Sequence, residues 1–181
     1  MENIDQLKKE LRKIVKERKA ALSQEEIRQR SVRIFEKVEQ LPVFQNSKVV
    51  LVYWALPDEV QTKDFILKWF QHKTILLPVI DGANLLLRPF RGLDKMAVQN
   101  SLGIAEPLGE NFTEFDKIDL AIIPGIAFDR NNSRLGRGKA YYDRLLTRLK
   151  TFRLGVCFNF QLFDQIPAGR NDIPMDMVMT D

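Results

Sequence analysis

The period of apolar and polar positions changes repeatedly along the chain, and each change marks an element. Ile4, Leu7, Leu11, Ile14 and Val15 recur at helical spacing, which predicts an amphipathic helix over residues 3–20. Its other faces carry Lys8, Lys9, Arg12, Lys13 and Lys16. Ser23-Gln24-Glu25-Glu26 has the form of a capping box, and a second helix follows to about Gln40 with Ile27, Ile34, Phe35 and Val38 inward. Pro42 to Ser47 reads as a connection. Lys48 to Tyr53 is a continuous apolar, β-branched run, as expected of a strand covered on both faces. Thr62 is placed to cap a helix with Phe65, Ile66, Trp69 and Phe70 inward. Thr74 to Ile80 and Leu85 to Phe90 read as strands joined by a turn at Asp81-Gly82. Ser101 to Asn111 reads as a loop punctuated by Gly and Pro. Ile118 to Ile123 is the next buried strand. A helix is predicted from about Lys139 to Lys150, with Tyr141, Leu145 and Leu149 as its buried stripe. Arg153 to Phe158 and Met175 to Met179 close the series as strands.

Helices alternating with continuous apolar strands predict an α/β fold. The expected form is a three-layer α/β/α sandwich around a mostly parallel, mixed sheet, Rossmann-like, with residues 1–181 as one domain. Ligands of such sheets bind beyond the carboxyl ends of the strands, where the loops after Tyr53 and Ile123 lie.

Composition narrows the class. The 181 residues are 45% hydrophobic and 29% charged, ordinary for a globular chain that buries roughly 70% of its unfolded surface. Cys157 is the sole cysteine, so no intrachain disulfide forms, and it reads as a small core residue. The N-terminus is charged from Glu2 onward, and the longest apolar block, Val49 to Leu56, is far shorter than a membrane span. The expected location is cytoplasmic. Net charge is +4, and residues 1–40 hold eleven Lys/Arg against eight Asp/Glu, which leaves one net positive charge for the other 141 residues. Basicity this local suits an anionic ligand near the first helix better than a nucleic-acid surface. His72 is the only histidine, which argues against a histidine general base or a His-rich metal site.

The candidate chemistry concentrates between Asp119 and Leu146. A buried strand breaks at Pro124-Gly125, a polar loop follows, and Arg134, Arg137 and Lys139 then crowd around Gly136 and Gly138. Glycines and cations before a helix form a phosphate cradle in physical terms, although a solvated basic turn accounts for the same residues. It is not a Walker A loop, because Ser133 replaces the first glycine and Ala140 follows Lys139. Nor is it a dinucleotide fingerprint, because Tyr141 stands where a small residue is required. Lys139 and Asp143 are four apart. They make either a surface ion pair worth about 0.3–0.5 kcal/mol or a phosphate ligand beside a Mg²⁺ ligand. Asp172 is either a turn former or a second such ligand. Trp54 and Glu59 flank Pro57. A flat apolar wall with one carboxylate suits a heteroaromatic ligand bearing N–H donors, and equally describes a loop anchor beside a solvated acid.

The run Arg134-Leu135-Gly136-Arg137-Gly138-Lys139-Ala140-Tyr141-Tyr142-Asp143, preceded by Pro124-Gly125-Ile126-Ala127-Phe128-Asp129, resembles the signature of the 5-formyltetrahydrofolate cyclo-ligase family. The likeness extends to Lys8-Lys9-Glu10-Leu11-Arg12, Asp58-Glu59-Val60 with Thr62, Gly103-Ile104-Ala105-Glu106-Pro107, and Asn171-Asp172 with Asp176. One departure is Ala140, where the family usually has glycine, and alanine is expected to cost little there. The resemblance implies ATP- and Mg²⁺-dependent conversion of 5-formyltetrahydrofolate to 5,10-methenyltetrahydrofolate. The formyl oxygen is phosphorylated, N10 attacks the activated carbon, and ADP and phosphate are released. It further implies that Lys8 and Arg12 reach ATP phosphates and that residues Arg134 to Tyr142 wrap the nucleotide. Arg137 and Lys139 would be catalytic, and Asp143 and Asp172 would hold Mg²⁺. Trp54, Glu59, Arg137 and Tyr141 would line the pterin site. The expected partners are these two small molecules, with no nucleic acid or membrane, acting on a monomer. Two rival classes remain at this point. One is a nucleic-acid module using the basic first helix, which would show a steep salt dependence. The other is a sugar-phosphate or coenzyme A enzyme that needs no ATP.

Overall fold

Helix α1 (Ile4–Ala20) starts at Asn3, whose side chain accepts from the Asp5 N–H. The computed structural model describes residues 3–100 and 103–181; Glu2 and Ser101, on which the sequence reading drew, lie outside them. The face that α1 buries differs from the predicted one. Ile4 and Ile14 are 47% and 43% exposed, whereas Val15 and Lys19 are buried, with Leu7, Lys8, Leu11 and Arg12 half-buried. The reason is where the helix docks. It meets polar loops and a small side sheet, so cations on its inner face find partners there.

Helix α2 (Gln24–Gln40) opens with the expected capping box, Ser23 Oγ accepting from the Glu26 N–H while the Glu26 carboxylate accepts from the Ser23 N–H. Pro42 begins a further short helix, α3 (Pro42–Asn46), where a plain connection was expected; proline suits a first turn because no intrahelical N–H is needed there. Strand β1 (Val49–Leu51), helix α4 (Lys63–Trp69) and strands β2 (Thr74–Asp81) and β3 (Asn84–Pro89) follow. Strands β4 (Met96–Val98) and β5 (Ala105–Pro107) form an antiparallel pair; β5 lies inside the stretch read from sequence as loop, and β4 in residues to which the sequence assigned no element. Then come β6 (Leu120–Pro124), β7 (Ala127–Asp129), β8 (Arg134–Leu135), α5 (Tyr141–Leu146), β9 (Phe152–Val156), β10 (Leu162–Phe163) and β11 (Met177–Met179).

The main sheet runs β11-β9-β6-β1-β2-β3, parallel throughout except for β3 against β2. Its apolar continuity has a direct cause. Along β6, Leu120 and Ile122 pack with Ile34, Phe35, Phe65 and Ile66 from α2 and α4, while Ala121 and Ile123 pack with Leu145 and Leu146 of α5. Both faces are covered, giving the predicted three layers, and each such large side chain contributes about 1.5–3 kcal/mol by burial. Cys157 sits fully buried in this core, and burial pushes its thiol up to about 12, so it is no nucleophile at neutral pH.

From β1 the chain first builds β2 and β3 to one side, then returns to place β6, β9 and β11 on the other. The order therefore reverses between β1 and β6, where open α/β sheets leave a crevice for ligands. A side sheet, β10-β7-β8, stands next to that point. Gly125 lets β6 turn closely into β7, since a Cβ there would lie 2.6 Å from the Phe128 ring. Among the described residues, no helix is long and apolar enough to cross a membrane.

Candidate active site

A cleft of about 970 Å³, counting its open mouth, lies beyond the carboxyl ends of β1 and β6. Its wall is largely apolar: Tyr53, Trp54 and Leu56 after β1, Pro78 and Ile80 of β2, Leu85 of β3 and Ile104 before β5. The rim carries Arg137, Lys139, Tyr141, Tyr142 and Asp143, with Glu59 paired to Arg137. The fold thus gathers Trp54, Glu59, Arg134, Gly136, Arg137, Lys139, Ala140, Tyr141, Tyr142 and Asp143 around one space.

The loop after β1 is held firmly. Thr62 does not cap α4 as predicted; its hydroxyl donates to the Tyr53 carbonyl at 2.7 Å and accepts from the Ala55 N–H at 3.2 Å. Tyr53 donates to the Val60 carbonyl at 2.7 Å, and Ser31 of α2 accepts from the Gln61 N–H at 2.8 Å. Trp54 stacks on Phe90, with centroids 6.0 Å apart and planes at 25°. Glu59 is fixed through both oxygens. Oε2 accepts from the Leu56 N–H at 2.9 Å, and Oε1 accepts from Arg137 Nε and Nη2 at 3.1 and 2.9 Å. Arg137 also donates through Nη2 to Asp58 at 2.9 Å, so its Nη1 is the donor left over. Partial burial pulls the Arg137 pKa down, but Glu59 and Asp58 outweigh it and the net shift is upward.

The expected helix at the cradle is shorter than the sequence suggested. Ala140 adopts φ 54°, ψ 22°, a left-handed conformation, and α5 begins only at Tyr141. Lys139 therefore lies outside the helix and does not share a face with Asp143. With six residues, α5 contributes little dipole, so the cradle rests on its loop and cations. The Ala140 departure also carries a cost, contrary to expectation. A left-handed alanine is strained by about 1–2 kcal/mol, which glycine avoids. Gly138, at φ 101°, occupies a conformation that suits glycine.

Arg134 and Leu135 are buried at the base of the loop, Arg134 within the cleft lining and Leu135 outside it. Leu135 is 2% exposed in a small core with Val15, Ala127 and Ile166. Arg134, 4% exposed, donates to Asp143 Oδ1 at 2.8 Å and to the Pro124 carbonyl at 3.4 Å. Lys139 is exposed and makes no ion pair among the described residues.

Lys8, Arg12, Leu135, Gly138 and Asp172 stand outside the cleft lining. They cluster behind it, on the face of α1. Lys8 Nζ reaches Asp172 Oδ2 at 2.5 Å, and Arg12 Nε donates to the Gly136 carbonyl at 3.0 Å. Lys19, buried further along the same stripe, reaches Asp58 Oδ2 at 3.3 Å. Burial pulls its ammonium below the usual lysine range, more than Asp58 and Glu59 restore. Three cations of one helix thus pin three loops. The sequence reading missed Lys19, and the successive steps of 4, 3 and 4 through Lys8, Arg12, Val15 and Lys19 were the available signal. The Ile173 N–H donates to Asp143 Oδ1 at 3.3 Å, which brings the Asp172 loop beside Asp143. Among the described residues, no three of His, Cys, Asp and Glu gather as a metal cage. The two aspartates keep capacity nevertheless. Their hydrogen bonds converge on Oδ1 of Asp143 and on Oδ2 of Asp172, leaving one hard oxygen on each. Although partial burial opposes it, the Gly169 N–H and Lys8 hold Asp172 below the usual carboxylate range.

Comparison with known proteins places this arrangement. The model of the 5-formyltetrahydrofolate cyclo-ligase family matches residues 4–181. A 5-formyltetrahydrofolate cyclo-ligase of Mus musculus is 30% identical over 191 residues, covering 97% of this chain and 94% of its own. One from Escherichia coli K12 is 28% identical over 176 residues, covering 92% and 96%. The solved structure of Aquifex aeolicus 5,10-methenyltetrahydrofolate synthetase superposes with a TM-score of 0.87 at 36% identity, over 96% of this chain and 89% of that one. That of Mycoplasma pneumoniae 5,10-methenyltetrahydrofolate synthetase gives 0.77 at 26%, over 96% and 98%.

Proposed function

The chain belongs to the 5-formyltetrahydrofolate cyclo-ligase family and is a ligase that closes 5-formyltetrahydrofolate to 5,10-methenyltetrahydrofolate with ATP; we propose the following division of that work among its residues, with the whole chain acting as one domain. The observation that carries the proposal is the meeting of an aromatic, apolar wall with exposed Lys139 and half-exposed Arg137 across a single cleft.

The formyl carbon of the substrate is a poor electrophile, and its oxygen would have to leave as hydroxide. Transfer of the terminal phosphoryl group of ATP to that oxygen breaks the bond to ADP and creates a leaving group. N10 of the same folate then attacks the carbon, loses its proton, and phosphate departs with the oxygen as the ring closes. The substrate supplies both nucleophiles, so the absence of a usable histidine or thiol is no obstacle. Phosphoryl transfer asks the protein mainly for position and charge. Lys139 and Nη1 of Arg137 stabilise the transferring group. Tyr142, whose hydroxyl is pushed up by burial and by Glu59, stays neutral in the cleft wall.

The folate lies against Trp54 and Tyr141, with Glu59 and Arg137 at its edge. The nucleotide lies along Gly136, Gly138, Lys139 and Ala140, toward Lys8 and Arg12. Asp143 and Asp172 would hold Mg²⁺ through their two free oxygens, a set that fits a hard cation completing its shell with phosphate and water. Such an ion would neutralise charge developing on the phosphates. The test is growth of methenylfolate absorbance from 5-formyltetrahydrofolate, strictly dependent on ATP and matched by ADP release. Purified protein that consumes no nucleotide when given this folate is not such an enzyme.

A further inference from the structure

The cleft holds a carboxyl group that the assignments above leave without a role. Glu106, in the middle of β5, is 5% exposed and lines the same cavity as Trp54 and Glu59. Its Oε1 accepts from the backbone N–H of Ile80 at 2.8 Å, which ties the β4–β5 hairpin to β2 of the main sheet. Among the described residues no cation pairs with it, and Oε2 has no hydrogen-bond partner. That oxygen is not sealed inside. Among the described residues, the buried side-chain polar atoms lacking a partner are Arg134 Nε and Thr151 Oγ1. Oε2 of Glu106 therefore keeps an opening, and the cavity is what it opens on.

Its surroundings leave the free oxygen to whatever enters the cleft. Pro78, Ile80, Leu85 and Ile104 line this part of the cleft and offer no side-chain donor. A ligand that fills this apolar space displaces water from the oxygen, so one that brings a donor is favoured over one that does not. Glu59 is placed differently, because both of its oxygens are already engaged by Leu56 and Arg137. Of the two glutamates, Glu106 is the one with an oxygen that makes no hydrogen bond among the described residues.

We propose that Oε2 of Glu106 accepts a hydrogen bond from an N–H group of the bound pteridine, and so sets which way the ring faces in the cleft. The inference rests on the functional reading above and extends it. A reduced pteridine carries an amino group and ring N–H groups along its edges, a donor set that an apolar wall with an open carboxyl oxygen selects over ring systems lacking it. The orientation so fixed decides whether the formyl group at the opposite edge meets the cationic rim.

Glu106→Gln is the discriminating variant. The amide oxygen can still accept from the Ile80 N–H, so the link between hairpin and sheet survives, while an NH₂ group replaces the acceptor that faces the cavity. The expected result is a rise in KM for 5-formyltetrahydrofolate of roughly 10- to 100-fold, the range for losing a hydrogen bond to a charged group. KM for ATP and the melting temperature stay at wild-type values. Direct binding of 5-formyltetrahydrofolate without ATP, followed by tryptophan fluorescence of the intact protein, weakens by the same factor. Unchanged folate affinity overturns the proposal. So does a parallel rise of both KM values with a fall in melting temperature, which marks a merely structural group. Wild-type protein that forms no methenyl product overturns the functional reading, and this inference falls with it.

Discussion

Arg134 is 4% exposed and closes on Asp143, whereas Lys139, five residues further along the same basic loop, is exposed and pairs with no carboxylate among the described residues. The chain writes both as cations beside glycines, and the fold uses them in opposite ways. A guanidinium already answered by a buried carboxylate contributes shape. It orients Asp143 and anchors the start of the loop. An ammonium left in solvent keeps its donors for whatever anion arrives. Basic residues in one motif therefore need not share one task. What separates them is whether the protein has already supplied the counter-charge.

Three substitutions can break or sharpen this contrast. Arg134→Met leaves Asp143 without its partner, and breaking a buried pair from one side costs about 3–5 kcal/mol. The urea midpoint should fall accordingly, and an unchanged midpoint would erase the distinction. Lys139→Ala should lower kcat by at least about 100-fold, or about 2.7 kcal/mol, the scale of one preorganised charge donor. Its melting temperature should match the wild type; wild-type turnover would remove Lys139 from the reaction. Ala140→Gly should relieve about 1 kcal/mol of left-handed strain, raising Tm by about 2–4 °C. A lower Tm would show that the loop gains nothing from glycine at that position.

The legibility of the sequence divides along a similar line. The strands at 49–51, 120–124 and 152–156 were readable because burial on both faces leaves an unbroken apolar run. The Ser23 box was readable because its partners lie three residues apart. The inner face of α1 was not, because Lys8, Arg12 and Lys19 are satisfied by Asp172, Gly136 and Asp58, which no local period reveals. The β4–β5 hairpin was hidden by its Gly and Pro residues and its three-residue strands. The early end of the cradle helix depended on one backbone conformation at Ala140. Within the site, residue types were legible from the family motif. Which cation is buried, and which glutamate keeps a free oxygen, depended on distant neighbours.

The stripe on α1 bears on how the molecule is assembled. Lys8 and Lys19 are separated by roughly 16 Å along the helix axis at 1.5 Å per residue, and between them they reach loops from very different parts of the chain. The partner of Lys8 lies 164 residues downstream. During synthesis the first helix leaves the ribosome long before Gly136 and Asp172 exist, so its inner cations wait in water while the sheet forms. Closure of the rim is then a late event, completed only after the chain through Asp172 has been made.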